Sequence, residues 1–379
     1  MTETMKAAIL VKQNAPLAIA DVEIPELAVG QVLIRVAYTG ICGKQLEELR
    51  GRRGPDPFLP HLLGHEGAGT VRAIGPGVRK VKPGDHVVLH WMKGSGIDSV
   101  TPRFRWNGMP VNAGWVTTFS ESTIVSENRL TPIPPDVPLD VACLLGCAVT
   151  TGMGIVLNNA ALKPGQSIAV FGVGGVGLNV VQAASLVSGH PIVAVDRYAQ
   201  KLQQAQAFGA THTVLANGDG VRARALEATG GQLFDATVDT TGLAAVRTLA
   251  YELTSHTGMT VLAGVPAQED RLTLDSFPLH FGRRIIGSHG GDTRPDLDIP
   301  RAIRLYRNGR LKLEEQITHR FTLDHINEAM ELVERGEAAR CVIAMARDVT
   351  ADQAGVAESV DAGSGSDRGR TPVGLAGAR

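Results

Sequence analysis

Hydrophobic residues in the first part of the chain fall in short runs that alternate with polar ones. The runs at 32–36 and 71–73 are examples, and the pairs Pro76-Gly77 and Pro83-Gly84 interrupt the pattern. Alternation with a period of two is typical of a strand with one buried face, and proline and glycine are typical of turns. The pattern predicts an antiparallel β domain, which we assign to residues 1–150.

The pattern of apolar and polar residues changes over residues 151–292, where apolar runs of strand length alternate with glycine and with amphipathic runs of helix length. Repetition of strand and helix is typical of parallel βαβ units and a doubly wound α/β sheet. The predicted strands are 167–171, 192–195, 236–239 and 259–264, and the predicted helices are 176–186 and 199–208.

The remaining residues divide into two parts. Helical periods at 299–307 and 323–334 precede a strand pattern at 341–345, and we predict that residues 293–347 return to the first domain. Residues 348–379 consist largely of Gly, Ala, Ser, Asp and Arg without apolar periodicity. Such a composition predicts a disordered tail.

Composition and charge reduce the number of functional classes that fit the sequence. The chain has 379 residues, 44% of them hydrophobic, and 37 basic against 38 acidic residues. This balance gives no basis for binding nucleic acid or anionic membranes. The longest apolar stretch, 141–149, is too short to span a bilayer, and the N-terminus does not resemble a secretory signal. With only four cysteines, the sequence predicts a cytoplasmic protein whose cysteines are thiols.

A glycine turn follows the predicted strand 167–171. Gly172, Gly174 and Gly177 have the spacing that allows a tight turn, close approach of a pyrophosphate and packing of the next helix. Asp196 ends the next predicted strand, where a carboxylate accepts hydrogen bonds from the adenosine ribose and repels a 2′-phosphate. This favours NAD over NADP. In the alternative, Asp196 caps the following helix and Arg197 holds a 2′-phosphate.

Three scattered residues have the chemistry of a metal site. Cys42, His65 and Cys147 offer two thiolates and an imidazole, a donor set that suits tetrahedral zinc with one open position. Taken singly, each is better explained as a buried core residue. Cys143 and Cys341 are interpreted as packing residues.

The sequence resembles the zinc-containing alcohol dehydrogenases of the medium-chain dehydrogenase/reductase superfamily, over nearly the whole chain to Met345. The segment Gly64-His65-Glu66-Gly67-Ala68-Gly69 resembles the family's zinc signature, and the segments around Cys42 and Cys147 resemble its other two ligand segments. The resemblance implies a GroES-like antiparallel β catalytic domain split around a Rossmann domain. It also implies an NAD-dependent alcohol dehydrogenase with small-molecule substrates, which forms a homodimer or homotetramer, with 284–288 as a candidate pairing strand.

The resemblance also implies roles for single residues. Cys42, His65 and Cys147 would hold one catalytic zinc that polarises the alcohol or carbonyl oxygen, with Glu66 beside it, while hydride passes between substrate and NAD. Thr151 would contact the nicotinamide and Arg340 the pyrophosphate. The full set of expected cofactor contacts is Thr151, Gly172, Gly174, Gly175, Val176, Gly177, Asp196, Lys201, Val265 and Arg340.

The chain departs from the family near the first metal ligand. The family usually has Ser or Thr, then Asp, and often His two positions further on, which support the histidine ligand and move the alcohol proton; this chain has Lys44, Gln45 and Glu47. Gln45 can accept a hydrogen bond from the His65 ring but brings no charge. Lys44 is a catalytic candidate: it accepts the alcohol proton or binds an anion as a permanent cation, unless it is simply solvated.

A second group of departures concerns metal number and substrate. Many members hold a structural zinc on four cysteines, whereas residues 90–112 contain none, so we predict one zinc per chain. Trp91 is either an aromatic residue of the substrate pocket or a core residue. Lys44, Lys93, Arg103 and Arg105 are expected near the pocket mouth, which favours a hydroxyl-rich or anionic substrate, such as a polyol, cyclitol or sugar derivative, over a simple alkyl alcohol. The competing functions are a zinc-free reductase of the same superfamily and a non-catalytic nucleotide-binding protein.

Overall fold

The computed structural model describes residues 3–345. The predicted disordered tail, 348–379, lies outside the described residues. The strands are β1 (Thr4–Leu10), β2 (Ala18–Glu23), β3 (Gln31–Gly40), β4 (His61–Leu62), β5 (Glu66–Ile74), β6 (His86–His90), β7 (Arg103–Trp106), β8 (Met109–Asn112), β9 (Ser122–Ser126), β10 (Leu130–Ile133), β11 (Ile168–Phe171), β12 (Ile192–Asp196), β13 (His212–Leu215), β14 (Phe234–Asp239), β15 (Thr254–Leu262), β16 (Arg284–Gly287), β17 (Ile317–Thr322) and β18 (Arg340–Ala344). The α-helices are α1 (Gly43–Leu49), α2 (Leu139–Ala142), α3 (Ala148–Gly154), α4 (Gly175–Leu186), α5 (Ala199–Ala207), α6 (Val221–Glu227), α7 (Ala244–Glu252), α8 (Pro295–Arg307) and α9 (Ile326–Arg335).

The first part of the chain forms two β layers. A closed barrel has the strand order β1-β2-β7-β8-β4, and a second sheet has the order β10-β6-β5-β3-β18-β17, with β9 also pairing with β3. Residues 32–36 lie in β3 and residues 71–73 in β5, and these two strands are antiparallel as the alternating pattern predicts. Gly77 and Gly84 have positive φ angles of 84° and 93°, so the two Pro-Gly pairs do form turns that favour glycine.

The second part forms a parallel sheet with the order β13-β12-β11-β14-β15-β16. Counted along the chain, this is the 3-2-1-4-5-6 order of a doubly wound sheet, in which a ligand crevice lies where the order reverses. The reversal falls between β11 and β14, beside the glycine turn that leads into α4. The predicted strands and helices of this part are confirmed to within a few residues, except that β15 begins five residues earlier than predicted.

The last described strand joins the two parts of the chain. β18 pairs with β3, with Val342 opposite Gly40, so the chain returns to the first sheet as the sequence predicts. Buried residues of α2, α3, α4 and α8 form one continuous apolar cluster between the two sheet systems. Among residues 3–345 no single helix has both the length and the apolar composition of a membrane span. Two helical segments, Leu139–Gly146 and Ala148–Asn159, have that length and composition only when they are taken together, and they meet at a bend of 50°.

Candidate metal and cofactor site

Three segments bring the predicted metal ligands together. Cys42 lies between β3 and α1, His65 directly precedes β5, and Cys147 directly precedes α3. One nitrogen of His65 and the two sulfur atoms lie within 4.8 Å of one another, and no other such group of three occurs among residues 3–345. His65 Nε2 is buried without a hydrogen-bond partner. An unpartnered imidazole nitrogen facing two sulfur atoms fits a zinc ion with three protein ligands.

The two cysteine thiols shift each other's pKa in opposite directions. A hydrogen bond from Cys147 lowers the pKa of the Cys42 thiol well below its ordinary value. The same hydrogen bond, together with burial, raises the pKa of Cys147 well above its ordinary value. A cation at this point would favour the thiolate form of both sulfur atoms, so metal binding would release a proton.

Gln45 supports the cluster in a different way from the one predicted. Its Oε1 accepts a hydrogen bond from the backbone N–H of Cys42 at 2.9 Å, and its Nε2 donates to His65 Nδ1 at 2.6 Å. The sequence suggested that the amide oxygen would face the imidazole, but the oxygen is engaged by the first turn of α1. Gln45 therefore presents a donor where a carboxylate would present a second acceptor.

Glu66 and Arg340 form a buried ion pair beside the metal cluster. Arg340 Nη2 contacts Glu66 Oε1, and Arg340 Nη1 donates to the carbonyl of Ile41 at 3.2 Å. Burial raises the pKa of Glu66, although the guanidinium acts in the opposite direction. A methyl group added at Gly175 would lie 2.8 Å from Arg340 Nη1. The guanidinium thus lies between the metal cluster and the glycine turn.

The glycine turn has the geometry that a dinucleotide needs. Gly172 has a φ of 83°, and a Cβ at Gly177 would lie 1.9 Å from the Gly172 oxygen, so neither position tolerates a side chain. In contrast, nothing lies within 4 Å of a Cβ built at Gly174, next to the N-terminus of α4. Open space at a helix N-terminus fits a pyrophosphate.

Asp196 has two contacts within the protein. Its Oδ2 accepts from the backbone N–H of Val173 at 2.8 Å, and its Oδ1 accepts from Tyr198 N–H at 3.0 Å. The carboxylate therefore tightens the glycine turn and also the turn before α5, while each oxygen retains acceptor capacity for a ribose hydroxyl. The Arg197 guanidinium lies over the Tyr198 ring, 4.7 Å from the centroid.

The other predicted cofactor contacts lie around the same turn. Thr151 is buried in α3, and its N–H bonds to the carbonyl of Cys147 at 2.9 Å, one helical turn from the metal cluster. Lys201 lies beside Tyr198, and burial lowers the pKa of its amine. Val265 is exposed, and its carbonyl packs against Gly242. Val176 lies in the first turn of α4.

Lys44 lies on the first turn of α1 and contacts two acids. Its Nζ is 3.7 Å from Glu47 Oε2 and 3.9 Å from Glu48 Oε1, and its side chain is 38% exposed. Burial raises the pKa of both Glu47 and Glu48. Lys44 is thus both partly solvated and ion-paired with two acids at the edge of the site.

A cavity of about 560 Å³ adjoins His65 and Gln45. Of the four cations expected at its mouth, Arg103 alone belongs to the lining, while Lys93 pairs with Asp98 at 2.6 Å. Trp91 is not part of the lining and packs edge-on against His289, with ring centroids 5.0 Å apart.

Sequence reasoning missed several residues of this cavity wall. They are Glu48, Asp56, Phe58, His61 and Trp115. Trp115 lies three residues after the end of β8, and a tryptophan beside glycine was a usable signal. No comparable signal marked Glu48 and Asp56, because their positions depend on how α1 and the following loop pack.

Comparisons with known proteins agree with this geometry. The Alcohol dehydrogenase GroES-like domain matches residues 28–135, and the Zinc-binding dehydrogenase domain matches residues 175–308. The chain is 32% identical to alcohol dehydrogenase class-P of Arabidopsis thaliana, covering 90% of this chain and 97% of the relative. It is 34% identical to S-(hydroxymethyl)glutathione dehydrogenase of Escherichia coli, covering 89% and 99%.

Solved structures give the same result. An alcohol dehydrogenase zinc-binding domain protein from Burkholderia ambifaria superposes with a TM-score of 0.84 at 29% identity, covering 91% of this chain and all of the other. Benzyl alcohol dehydrogenase from Acinetobacter calcoaceticus superposes with a TM-score of 0.83 at 27% identity and the same coverage. The predicted combination of GroES-like and Rossmann folds is confirmed. The chain belongs to the zinc-containing alcohol dehydrogenases of the medium-chain dehydrogenase/reductase superfamily, which are NAD-dependent oxidoreductases.

Proposed function

We propose that this chain interconverts an alcohol and its carbonyl compound at the cavity beside His65, with zinc held by Cys42, His65 and Cys147. The observation that carries the proposal is the approach of these three donor atoms to within 4.8 Å of one another, with His65 on the cavity wall. When bound, zinc would supply Lewis acidity to the reacting oxygen and NAD would accept the hydride. The cluster also argues against a zinc-free reductase, since all three donors are retained.

The chain's own residues would orient the reactants. The glycine turn and the N-terminus of α4 would bind the pyrophosphate, with the Arg340 guanidinium beside them. Asp196 would accept hydrogen bonds from the adenosine ribose, and its charge favours NAD over NADP. Thr151 and Val265 would border the nicotinamide. Glu66 is a positioning residue, because it holds Arg340 at the junction of the two sites.

We also propose that the chain forms homodimers through the edge of its parallel sheet. β16 is the terminal strand of that sheet, and an edge strand can pair with a second copy. Phe277, Leu279 and Phe281, which precede β16, are large exposed apolar residues. We place the protein in the cytoplasm, where the free cysteines, which include two proposed zinc ligands, would remain reduced.

The test follows NADH absorbance with a panel of primary, secondary and polyhydroxylated alcohols. We expect NAD reduction that is lost on removal of metal by a chelator and restored by zinc, with NADP a poorer acceptor. Reduction of NAD that is unaffected by metal removal would contradict the zinc mechanism. A metal-loaded protein that binds NADH but oxidises no alcohol in the panel would favour the non-catalytic alternative.

A further inference from the structure

The charged groups on the wall of the substrate cavity differ in how many hydrogen bonds and ion pairs they already make within the protein. His65 and Gln45 mark the end at which the reaction would occur, and Glu48, Asp56 and Arg103 lie elsewhere on the wall. What the cavity recognises depends on which of these groups still has unused hydrogen-bonding capacity.

Both carboxylate oxygens of Asp56 already have hydrogen-bond partners within the protein. Its Oδ2 lies 2.8 Å from His61 Nε2, and its Oδ1 accepts from the N–H of Phe58 at 2.9 Å. His61 Nδ1 lies 2.9 Å from the carbonyl oxygen of Leu62, which can only accept. Both ring nitrogens therefore face oxygen atoms of the protein. Asp56 and His61 form a hydrogen-bonded pair that fixes the shape of the wall.

Glu48 and Arg103 have unused capacity. Within residues 3–345, the Glu48 carboxylate makes no hydrogen bond, and its nearest cation is Lys44 at 3.9 Å. Arg103 forms no ion pair or side-chain hydrogen bond within the same residues. The cavity therefore offers a substrate one carboxylate acceptor and one guanidinium donor.

The balance of charge decides the substrate class. The wall carries charges of both signs, with Glu48 and Asp56 against Arg103, so their effects partly cancel and the wall gives no strong preference for a charged substrate. The Glu48 side chain is 33% exposed and Arg103 is exposed, so an alcohol with a single hydroxyl would bind at the reacting end and leave both groups to water. A neutral polyol satisfies all groups, because each further hydroxyl both donates and accepts.

We propose that Glu48, together with Arg103, selects neutral polyhydroxylated substrates by binding a hydroxyl other than the one that is oxidised. This inference rests on the proposed alcohol dehydrogenase function and assigns its substrate class. The exposed rings of Phe58 and Trp115, 65% and 60% exposed, flank the same cavity and offer apolar surface to the C–H groups of a ring-shaped polyol.

The test compares cyclohexane-1,2-diol with cyclohexanol, which differ by one hydroxyl. We expect the wild-type kcat/KM to favour the diol by about threefold to tenfold, the range for one net hydrogen bond to a partly exposed group. Glu48→Gln and Arg103→Met are each expected to reduce this ratio, mainly by raising the KM of the diol. Glu47→Gln is the matched control: Glu47 also pairs with Lys44 but does not line the cavity, so the ratio should persist.

Zinc content and melting temperature, measured for each variant, establish that the comparison is made on folded, loaded protein. Equal kcat/KM for diol and cyclohexanol in the wild type, or an unchanged ratio in Glu48→Gln, would overturn the assignment of the substrate class and leave the proposed function intact. Absence of NADH formation with both alcohols and with open-chain polyols would overturn the proposed function and the substrate class together.

Discussion

At the scale of single residues, Gln45 is the position where this chain differs most from what a zinc-bound histidine requires. Coordination through Nε2 needs the proton on Nδ1, and Nδ1 now accepts from the Gln45 amide at 2.6 Å. Turning the amide would supply an acceptor to His65 but would remove Oε1 from the Cys42 N–H. Metal binding therefore costs one hydrogen bond that a carboxylate would keep.

The first prediction follows from this conflict. Gln45→Glu should raise zinc affinity by about tenfold or more, because a carboxylate accepts from both Cys42 N–H and His65 and partners of ligating histidines commonly matter by that amount. Competition with a chromophoric zinc chelator gives the apparent Kd. Gln45→Leu, which can accept neither hydrogen bond, should weaken binding. An apparent Kd that is the same for Gln45→Glu and the wild type would contradict the argument.

Lys44 contacts Glu47 and Glu48, and an arginine could make the same ion pairs. We predict that Lys44→Arg keeps kcat, whereas Lys44→Met raises the KM of a polyol by about twofold to fivefold, the range for a partly exposed ion pair. Steady-state kinetics with zinc-loaded protein measures both parameters. A slower kcat in both variants would instead assign Lys44 to proton transfer.

His90 predicts a measurable dependence of stability on pH. The ring is buried between the Met92 carbonyl and the Thr131 hydroxyl. Burial, assisted by the charge of Lys80, lowers the pKa of His90 to about 4, although the Met92 carbonyl and Asp296 act in the opposite direction. The unfolded chain binds this proton near pH 6.5, so the unfolded state gains protons first and stability falls as the pH falls from 6.5 towards 4.

The comparison uses urea unfolding at pH 7 and pH 5 for the wild type and His90→Gln. The wild type should lose about 2 kcal/mol more than the variant between these pH values. Other groups titrate in both proteins and cancel in the difference. An equal loss in the two proteins would show that His90 is not held neutral.

At the scale of structural elements, carboxylates connect the segment between β6 and β7 to the loop that precedes β6. Glu127 accepts backbone N–H groups of Arg79, Lys80 and Ile97 at 2.6, 2.7 and 2.8 Å. Although burial opposes it, these hydrogen bonds lower the pKa of Glu127. Asp296 forms an ion pair with Lys80, whose Nζ lies 2.6 Å from Oδ1, and its Oδ2 accepts a hydrogen bond from the N–H of Ser95 at 2.5 Å. These contacts stabilise a segment that carries no cysteine.

Glu127→Gln should therefore destabilise the protein by about 2 kcal/mol, since it removes charge-assisted hydrogen bonds to buried donors. It should also increase proteolytic cleavage within 91–100, with zinc content unchanged. Glu121→Gln is the control, because Glu121 accepts a single backbone N–H, that of Lys6 at 2.9 Å, and should cost less. Equal unfolding free energies for the two variants would contradict this role of Glu127.

The elements themselves were accessible from the sequence, and their long-range contacts were not. Period-two runs located β3 and β5, and the strand, glycine and helix succession located β11, α4 and β12 because these features depend on local pattern. The contact of Trp91 with His289 and the placement of Trp115 on the cavity depend on packing between distant segments. Local pattern does not specify such packing.

At the scale of the whole molecule, β18 connects the metal cluster with the cofactor turn. Pairing of β18 with β3 places Arg340 against Glu66, which is 274 residues away in sequence, and beside Gly175. The resemblance to the family predicted the three metal ligands and the pyrophosphate contact of Arg340 separately. Their junction through one buried ion pair became visible only in the folded chain, because it depends on the return of the C-terminal segment.

The central claim is that Cys42, His65 and Cys147 hold the one zinc of each chain. Elemental analysis of purified protein tests it most directly, with Cys147→Ala and the control Cys143→Ala, whose sulfur donates to the Asp140 carbonyl instead. The account predicts about one zinc per chain in the wild type and in Cys143→Ala, and loss of zinc in Cys147→Ala. Two zinc ions per chain, or one zinc retained in Cys147→Ala, would contradict it.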